Sequence, residues 1–286
     1  MAKAPDDGLL LVDKPAGMTS HDAVDRARRA LRTKRIGHGG TLDPFATGLL
    51  VLLVGRVTRL LPYLDGEPKA YEATIRFGAE TDTDDLTGAV TVEAPIPDRA
   101  AVEKAIDGLT GDIEQVPPAY SAKQVGGTRA YAAARRGQAL ALAAVPVRVA
   151  RWEIRAWRDS ECDVAVVCGG GTYIRALARD LGRAAGSAAH LTALRRTGSG
   201  RFAVRDAVAV DAISPGSVRS PLDAIPDAER IVVDPPTRAR IARGMTIPRR
   251  ADASALAAIV DESGELLAVA EPEGDMWQPR VVLVDG

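Results

Sequence analysis

The chain has 286 residues, of which 46% are apolar and 26% charged, and its formal net charge is −1. That profile excludes an acidic disordered chain and a uniformly basic nucleic-acid binder, and it fits an ordinary globular protein. The length accommodates one large domain, or one of about 200 residues with a small appendage. Only 4% of residues are aromatic, so each Tyr, Trp and Phe is a scarcer signal than usual. The cations are 31 Arg and 6 Lys, a skew that a GC-rich genome produces and that also supplies forks for phosphate. Cys162 and Cys168 share a face if their segment is a strand, but then lie roughly 20 Å apart. No local disulfide is expected, and a reduced, cytoplasmic setting is. The opening "MAKAPDDGLLLVDKPAG" has too short an apolar run for a signal peptide, and no stretch approaches the roughly 18 apolar residues of a membrane helix.

In chain order, "LLLVDKP" reads as a short strand ended by Pro15. Thr19 and Asp22 form a capping box ahead of a helix, with Val24, Ala27 and Leu31 as its buried stripe and Gly37 as its stop. The helix and its exit carry Arg26, Arg28, Arg29, Arg32, Lys34 and Arg35 with no acid among them. From His21 to Leu60 eight cations stand against three acids, and from Asp65 to Asp98 nine acids stand against two cations. The basic run is either a solvated helix face or a patch that tracks phosphates. "GLLVLLVG" (Gly48 to Gly55) is apolar on both faces, as in a central strand or a short buried helix. "YEATIRF" alternates, with Tyr71, Ala73, Ile75 and Phe77 on one face of a half-buried strand. A helix is expected over 98–108, a proline-led loop and basic helix over Val116 to Gly137, and an alternating strand over Arg148 to Arg158 around Trp152, Ile154 and Ala156. "CDVAVVCGGGTYIRALARDLG" reads as a strand, a triple-glycine turn and a helix capped by Thr172. Five prolines from Pro215 to Pro236 mark a composition change. Beyond them a short basic helix (Thr237 to Arg243) and strand-like runs joined by the turn "DESG" give a small β-rich unit.

The chemistry concentrates in "GHGGTLDPFATG", Gly37 to Gly48, where Asp43 is the only acid. His21, His38 and His190 lack the spacing of a zinc site. Asp82, Asp84 and Glu93 fall at positions 1, 3 and 12 of an EF-hand count, but Leu86 and Thr87 stand at positions 5 and 6, so the stretch reads as a solvated turn. No GxGxxG follows a strand, and no GKS/T or GxSxG occurs, so nucleotide cofactors and a serine hydrolase are unsupported. A glycosidase needs a second carboxylate, and none is near in sequence. A lone carboxylate among glycines and arginines remains, a candidate nucleophile toward a base or sugar. To stay ionised while partly buried it needs a cation beside it, and Arg175 is one candidate among many arginines.

Taken together, these residues resemble the tRNA pseudouridine synthase B (TruB) family. "GHGGTLDPFATG" is similar to its catalytic motif. "LLVDKPAGMTSHDAV", "KAYEATIRFGAETDTDDLTG", "VPPAYSAKQVGGTRAYAAARRG", "GGGTYIRALARDLG" and "AHLTALRRTGSGRF" are similar to its other blocks, in the same order from about Gly8 to Phe202. The resemblance implies a pseudouridine synthase fold of α/β (α+β) class: a central mixed, largely antiparallel sheet flanked by helices over residues 1–228, with a thumb-like insertion at about 117–145. A small β-rich, PUA-like RNA-binding domain over 229–286 completes it. The implied activity is a cofactor-free and metal-free isomerisation of the uridine at position 55, in the T-loop of tRNA, to pseudouridine, after the nucleotide is flipped out. The partner is the tRNA T-arm, with no guide RNA, protein partner or membrane, and a cytoplasmic monomer is expected.

By the same resemblance Asp43 is the nucleophile, attacking ribose C1′ or uracil C6. Tyr71 stacks under the flipped uracil and helps remove the C5 proton, and Arg175 pairs with Asp43 and keeps it ionised. Tyr173 and Leu194 line the pocket, His38 leans into the space the base has left, and Lys14 and Pro15 brace the Asp43 loop. Arg238, Arg240 and Arg243 are the expected phosphate contacts of the C-terminal unit. Read without the resemblance, Tyr71 and Leu194 are core residues, His38 is a loop histidine, and Lys14 and Pro15 are a strand end. Two positions depart from the family: Gly39 stands where Thr or Ser is usual, which loosens the loop before Asp43, and Gln124, beside Lys123, stands where the thumb commonly has Lys. A tRNA-binding RNA chaperone with catalysis secondary would use the same basic surfaces; a carboxylate set to face phosphates favours the enzyme.

Overall fold

The computed structural model describes residues 7–64, 66–121, 124–125, 128–129, 140, 142–250 and 254–285. Strand β1 (Gly8–Lys14) leads into helix α1 (Ser20–Leu31). Thr19 caps that helix: its hydroxyl accepts from Asp22 N at 3.0 Å, and the Asp22 carboxylate accepts from Thr19 N at 2.9 Å. α1 stops before Gly37, because Arg32 takes a left-handed φ of 53° and its N–H closes the last turn. Gly37 belongs instead to strand β2 (Ile36–His38), which the ladder to β3 (Thr47–Val54) claims. β3 also pairs antiparallel with β1 along the whole of β1. One face of this pair, Leu10, Val12, Leu50 and Leu52, is covered by α1. The other, Leu9, Leu11, Leu49, Val51 and Leu53, meets the 3-10 turn Gly55–Tyr63 and the C-terminal sheet. Burial on both sides is why "GLLVLLVG" shows no alternation.

Next along the chain come β4 (Lys69–Phe77), β5 (Ala79–Thr81), β6 (Val90–Glu93), α2 (Arg99–Gly108), β7 (Gly111–Gln115), β8 (Gln124–Val125), β9 (Thr128–Arg129), β10 (Val145–Arg158), β11 (Glu161–Cys168), α3 (Ile174–Ala184), β12 (Ala189–Ser199), β13 (Phe202–Ala203) and β14 (Val208–Ala209). The main sheet runs β14-β1-β3-β12-β4-β11-β10-β7, with β2 on β3 and β13 on β12. Only β1–β14 and β12–β3 are parallel, so the sheet is mixed and largely antiparallel, as expected. Tyr71, Ala73, Ile75 and Phe77 form one cluster with Val102 of α2, Val164 and Val166 of β11, and Leu177 and Leu181 of α3. Cys162 and Cys168 are buried, unbridged thiols of β11. β10 does not alternate simply: register shifts at Val149/Arg151 and Ile154/Ala156 rotate it. Ile154 and Ala156 end half-buried, and Trp157 stacks on Phe77 with ring centroids 5.6 Å apart. The expected basic helix before Gly137, and most of the thumb-like insertion including Lys123, lie outside the described residues; β8 and β9 are a short ladder within it.

The remaining elements are β15 (Glu229–Val233), α4 (Pro235–Ala242), β16 (Ile247–Pro248), β17 (Ala257–Asp261), β18 (Leu266–Glu273) and β19 (Met276–Val282). They make a second sheet, β15-β17-β18-β19-β16. The "DESG" turn joins β17 to β18, with the Asp261 carboxylate accepting from Ser263 N and Glu265 N. Val260, Leu266, Val269, Val281 and Leu283 enter the same buried cluster as Leu9 and Leu49. At roughly 1.5–3 kcal/mol for each fully buried aliphatic side chain, an upper bound, that contact fastens the second sheet to the back of the first. Arg59 adds a hydrogen bond to Val282 O at 2.6 Å, and the Tyr63 hydroxyl one to Glu271 at 3.0 Å. Of the arginines expected to meet phosphate, Arg238 is engaged by Asp261 (2.7 Å) and Glu265 (3.2 Å), which offsets its charge.

Candidate active site

The loop between β2 and β3 carries Asp43 and is clamped on several sides. Ser20, in the first turn of α1 and 3% exposed, donates to Leu42 O at 3.1 Å and accepts from Leu42 N at 2.8 Å. Gly17 N donates to Pro44 O at 2.8 Å. Lys14 is fully buried and spreads its ammonium over Met18 O (2.7 Å), Pro15 O (2.9 Å) and Pro44 O (3.5 Å). Of these three bonds only the longest reaches the Asp43 loop itself, and the Pro15 ring is exposed, its carbonyl alone meeting the ammonium. From β12, the buried Arg196 donates to Leu49 O (2.7 Å), Gly40 O (3.1 Å) and Thr41 O (3.4 Å). Gly48, at φ 100°, lets β3 approach that strand; a Cβ there would collide with the Arg196 carbonyl. Gly39 donates its N–H to Val51 O at 2.9 Å, and Leu64 fills the space a side chain there would take.

Within this frame Arg175 grips Asp43 with two parallel bonds, Nε to Oδ2 at 2.9 Å and Nη2 to Oδ1 at 3.0 Å, the bidentate geometry that fixes a carboxylate most firmly. Its other N–H groups go to Thr83 O (2.8 Å) and Tyr120 O (2.9 Å), and the Asp85 carboxylate lies 3.6 Å away. The Arg175 side chain is 5% exposed and that of Asp43 32%. The cation is thus enclosed while the carboxylate keeps an open side. Arg175 sits in the first turn of α3, whose N-cap is Tyr173 and not Thr172. The Thr172 hydroxyl instead donates to Gly169 O at 2.9 Å. The buried Gln115 amide holds both polar groups of the Tyr173 backbone, at 2.9 and 3.1 Å, and so fixes the helix start.

The stretch read as a solvated turn is exposed over most of its length, at Asp82 and from Leu86 on, but two of its acids are not. Asp84 and Asp85 are 7% and 4% exposed. Asp84 pairs with Arg179 at 3.0 Å, and Asp85 accepts from the Thr83 and Thr87 hydroxyls and from Thr87 N. The cause is α3, which buries two arginines against this turn, and buried guanidinium groups require acids. Among the described residues, no group of three or more His, Cys, Asp or Glu side chains is placed to hold a metal ion.

Tyr71, 8% exposed, shares a cluster with Leu42, Ala46 and Leu194. Burial pushes its hydroxyl up, and the neighbouring Arg196 guanidinium only partly opposes this, so the phenol is protonated at neutral pH. Leu194 lies on β12 opposite Ala73. Tyr173 is half-buried, which raises its hydroxyl too, with Arg175 and Asp43 both close enough to act on it. His38 is half-buried, and its Nδ1 is buried with no hydrogen-bond partner among the described residues. Burial first, and the Arg196 charge second, hold its imidazole below the ordinary value, hence neutral at pH 7. Burial also brings Lys14 down to about 8, although Asp43 opposes the shift. The structure therefore gathers Asp43, Arg175, Tyr71, Tyr173, Leu194 and Lys14 around one loop, with His38 joined to them through Arg196. Sequence reasoning missed Ser20, Gln115, Asp85 and Arg196. Arg196 had a signal, since it shares a strand face with Leu194 two residues before it.

Residues 28–174 match the family model described as TruB family pseudouridylate synthase (N terminal domain), and residues 175–220 match that of the tRNA pseudouridylate synthase B C-terminal domain. The tRNA pseudouridine synthase B of Mycolicibacterium paratuberculosis is 53% identical over 213 residues, covering 72% of this chain and 73% of that protein. Its counterpart from Mycobacterium tuberculosis is 49% identical over 210 residues, covering 71% and 70%. A chain in the crystal structure of a Cbf5-Nop10-Gar1 complex superposes with a TM-score of 0.71 at 22% identity, over 98% of this chain and 86% of that one, a likeness of fold. The large mixed sheet and these likenesses define a pseudouridine synthase architecture. Within that class, the chain belongs to the TruB family of pseudouridylate synthases.

Proposed function

We propose that the protein isomerises uridine to pseudouridine in tRNA, at position 55 of the T-loop, as a cytoplasmic monomer that needs no guide RNA or partner protein. The observation that carries this reading is a carboxylate, Asp43, held from one side by Arg175 and open on the other. It lies in a chain about half identical to tRNA pseudouridine synthase B proteins over most of its length. Asp43 is the nucleophile, attacking ribose C1′ or uracil C6. By either route the N1–C1′ bond breaks, a C5–C1′ bond forms, C5 gives up its proton and N1 gains one. Atoms and electrons balance with no oxidant or reductant. Arg175 holds the carboxylate in one orientation, and such positioning is where much of nucleophilic catalysis lies.

The flipped base needs a flat, dry platform. Tyr71 offers a buried neutral ring, Leu194 and Tyr173 complete the walls, and the Tyr71 hydroxyl, itself protonated, helps remove the C5 proton by accepting at its oxygen as it passes its own proton on. His38, neutral and with an unpartnered ring nitrogen, occupies the place the base leaves. Lys14 and the Pro15 carbonyl brace the loop. Residues 1–228 form the catalytic domain, with the thumb-like insertion gripping the T-arm, and residues 229–286 the PUA-like RNA-binding domain. The exposed Arg29, Arg32, Lys34 and Arg35 at the end of α1, and Arg243 after α4, supply charge for phosphates. Arg26 and Arg28 are paired with Asp211 and Asp25.

The test is to incubate an unmodified tRNA transcript with the purified protein and map pseudouridine by carbodiimide adduct and reverse-transcription stop. One stop, reporting position 55, is expected. Stops elsewhere only, or none while the transcript is bound, would overturn the assignment, the second outcome in favour of a chaperone.

A further inference from the structure

Helix α3 carries a second buried arginine one turn beyond Arg175. Arg179 is 8% exposed, and each of its three nitrogens is engaged: Nη1 with Asp84 at 3.0 Å, Nη2 with Val116 O at 2.8 Å, and Nε with Asp180 at 2.9 Å. A spacing of four residues puts the two guanidinium groups on one helix face, and they hold the same two segments. Arg175 takes Thr83 O and Tyr120 O, while Arg179 takes Asp84 and Val116 O. The turn at 83–85 is thus held at two adjacent residues. So is the stretch 116–120, which leads into the expected thumb-like insertion, at its two ends.

We propose that Arg179, through its pair with Asp84, is a positioning residue for Asp43. It locks the turn and the base of the thumb against α3, so that Arg175 has one set of acceptors and Asp43 one orientation. The reason is geometric. Arg175 divides its donors among Asp43, Thr83 O and Tyr120 O, so a shift of either carbonyl pulls the guanidinium, and the carboxylate follows. Arg179 itself has no hydrogen bond to Asp43 and acts only through these segments. The charged groups facing Asp84 are Arg179, Arg175, Asp180 and Glu80, and burial pushes its carboxyl up to about 6 despite the two arginines. Protonation of Asp84 as the pH falls through about 6 therefore weakens the pair and the positioning with it.

The inference rests on the isomerase reading above, so its test has one readout that needs activity and one that does not. Variants Arg179→Met, Arg179→Lys and the double Arg179→Met/Asp84→Leu are compared with wild type. The measurements are the single-turnover rate at saturating tRNA transcript, transcript Kd, Tm, and the ¹⁵N NMR signal of the Arg175 Nε–H that bonds Asp43. Arg179→Met is expected to lower the rate about ten-fold, the scale of a small misplacement at a reacting group, with Kd within about two-fold. Lys reaches Asp84 but not Val116 O at once, and recovers only part of the rate. The double variant removes the unpaired acid and recovers Tm, as apolar replacement of buried pairs often does, yet stays slow and loses the decline below about pH 6. The Arg175 Nε–H signal shifts or broadens in both Met variants. A rate that returns with Tm in the double variant, or an Arg175 signal unchanged from wild type, overturns the proposal. If wild-type protein makes no pseudouridine, the functional reading fails, and the NMR signal still decides whether Arg179 positions Arg175.

Discussion

Replacing Ser20 by Ala removes one oxygen that satisfies both polar groups of Leu42, the residue before Asp43. Ser20 is 3% exposed and Leu42 4%, so water has little access to take the place of the hydroxyl. A buried donor or acceptor left without a partner costs about 1–3 kcal/mol. With two such groups and some local relaxation, a net loss of about 2 kcal/mol follows. For a chain of this size that lowers Tm by roughly 4–8 °C. The kinetic effect is expected to be larger than stability alone explains, because the freed peptide is adjacent to the nucleophile. A misplacement of about 1 Å costs on the order of a hundred-fold in rate. The assay is differential scanning fluorimetry alongside single-turnover pseudouridine formation at saturating transcript. Ser20→Ala should be ten- to a hundred-fold slower, roughly, at a temperature well below its own Tm, with transcript Kd within a few-fold. A variant with Tm and rate both indistinguishable from wild type would refute the claim that Ser20 holds the loop.

Two further predictions concern the other clamps. The pKa of Lys14 is about 8 in the fold against 10.5 for an exposed lysine; between these values the unfolded chain binds the extra proton, so stability rises with pH across this window. The ammonium that faces Asp43 is lost above about 8, and the wild-type rate should decline there; Lys14→Met should be slower at neutral pH and lack that decline. An alkaline limb that persists in Lys14→Met would assign it elsewhere. Arg196 reaches three carbonyls from three different nitrogens of a planar fork, a spread that an ammonium, whose donors share one atom, does not match from the same position. Arg196→Lys should therefore be nearly as slow as Arg196→Met, on the order of ten-fold or more below wild type, and a fully active Lys variant would contradict this.

What the sequence made legible was local or carried by the family pattern. The Thr19–Asp22 box, the alternation of "YEATIRF" and the "DESG" hairpin each declare themselves within a few residues, and the structure has all three. The ordered motifs placed Asp43, Tyr71 and Arg175 in one site although the last is 132 residues from the first. What stayed hidden depends on partners far along the chain. Ser20 meets Leu42 across 22 residues, Gln115 meets Tyr173 across 58, and Arg196 meets Leu49 across 147. No local preference marks such contacts. Thr172 has the chemistry of a helix cap, but Gln115 holds the helix start more completely, so the local rule lost to a tertiary one. "DTDDLTG" looks solvated because acids and threonines usually are, and Asp82 is exposed; Asp84 and Asp85 are instead buried against arginines of α3, with Arg179 reaching Asp84 from 95 residues away. β10 defeated the alternation rule through two register shifts that no single residue announces.

The central claim is that Asp43 performs nucleophilic isomerisation of uridine. The most direct measurement is tritium release from an unmodified tRNA transcript carrying uridine tritiated at C5, with wild type and Asp43→Asn side by side and transcript Kd measured for both. Release is expected from wild type and none from Asp43→Asn, with affinities within a few-fold of each other, since the amide keeps the shape of the side chain while removing its nucleophilic charge and one of the two oxygens that accept from Arg175. Release by Asp43→Asn at a rate near that of wild type would contradict it.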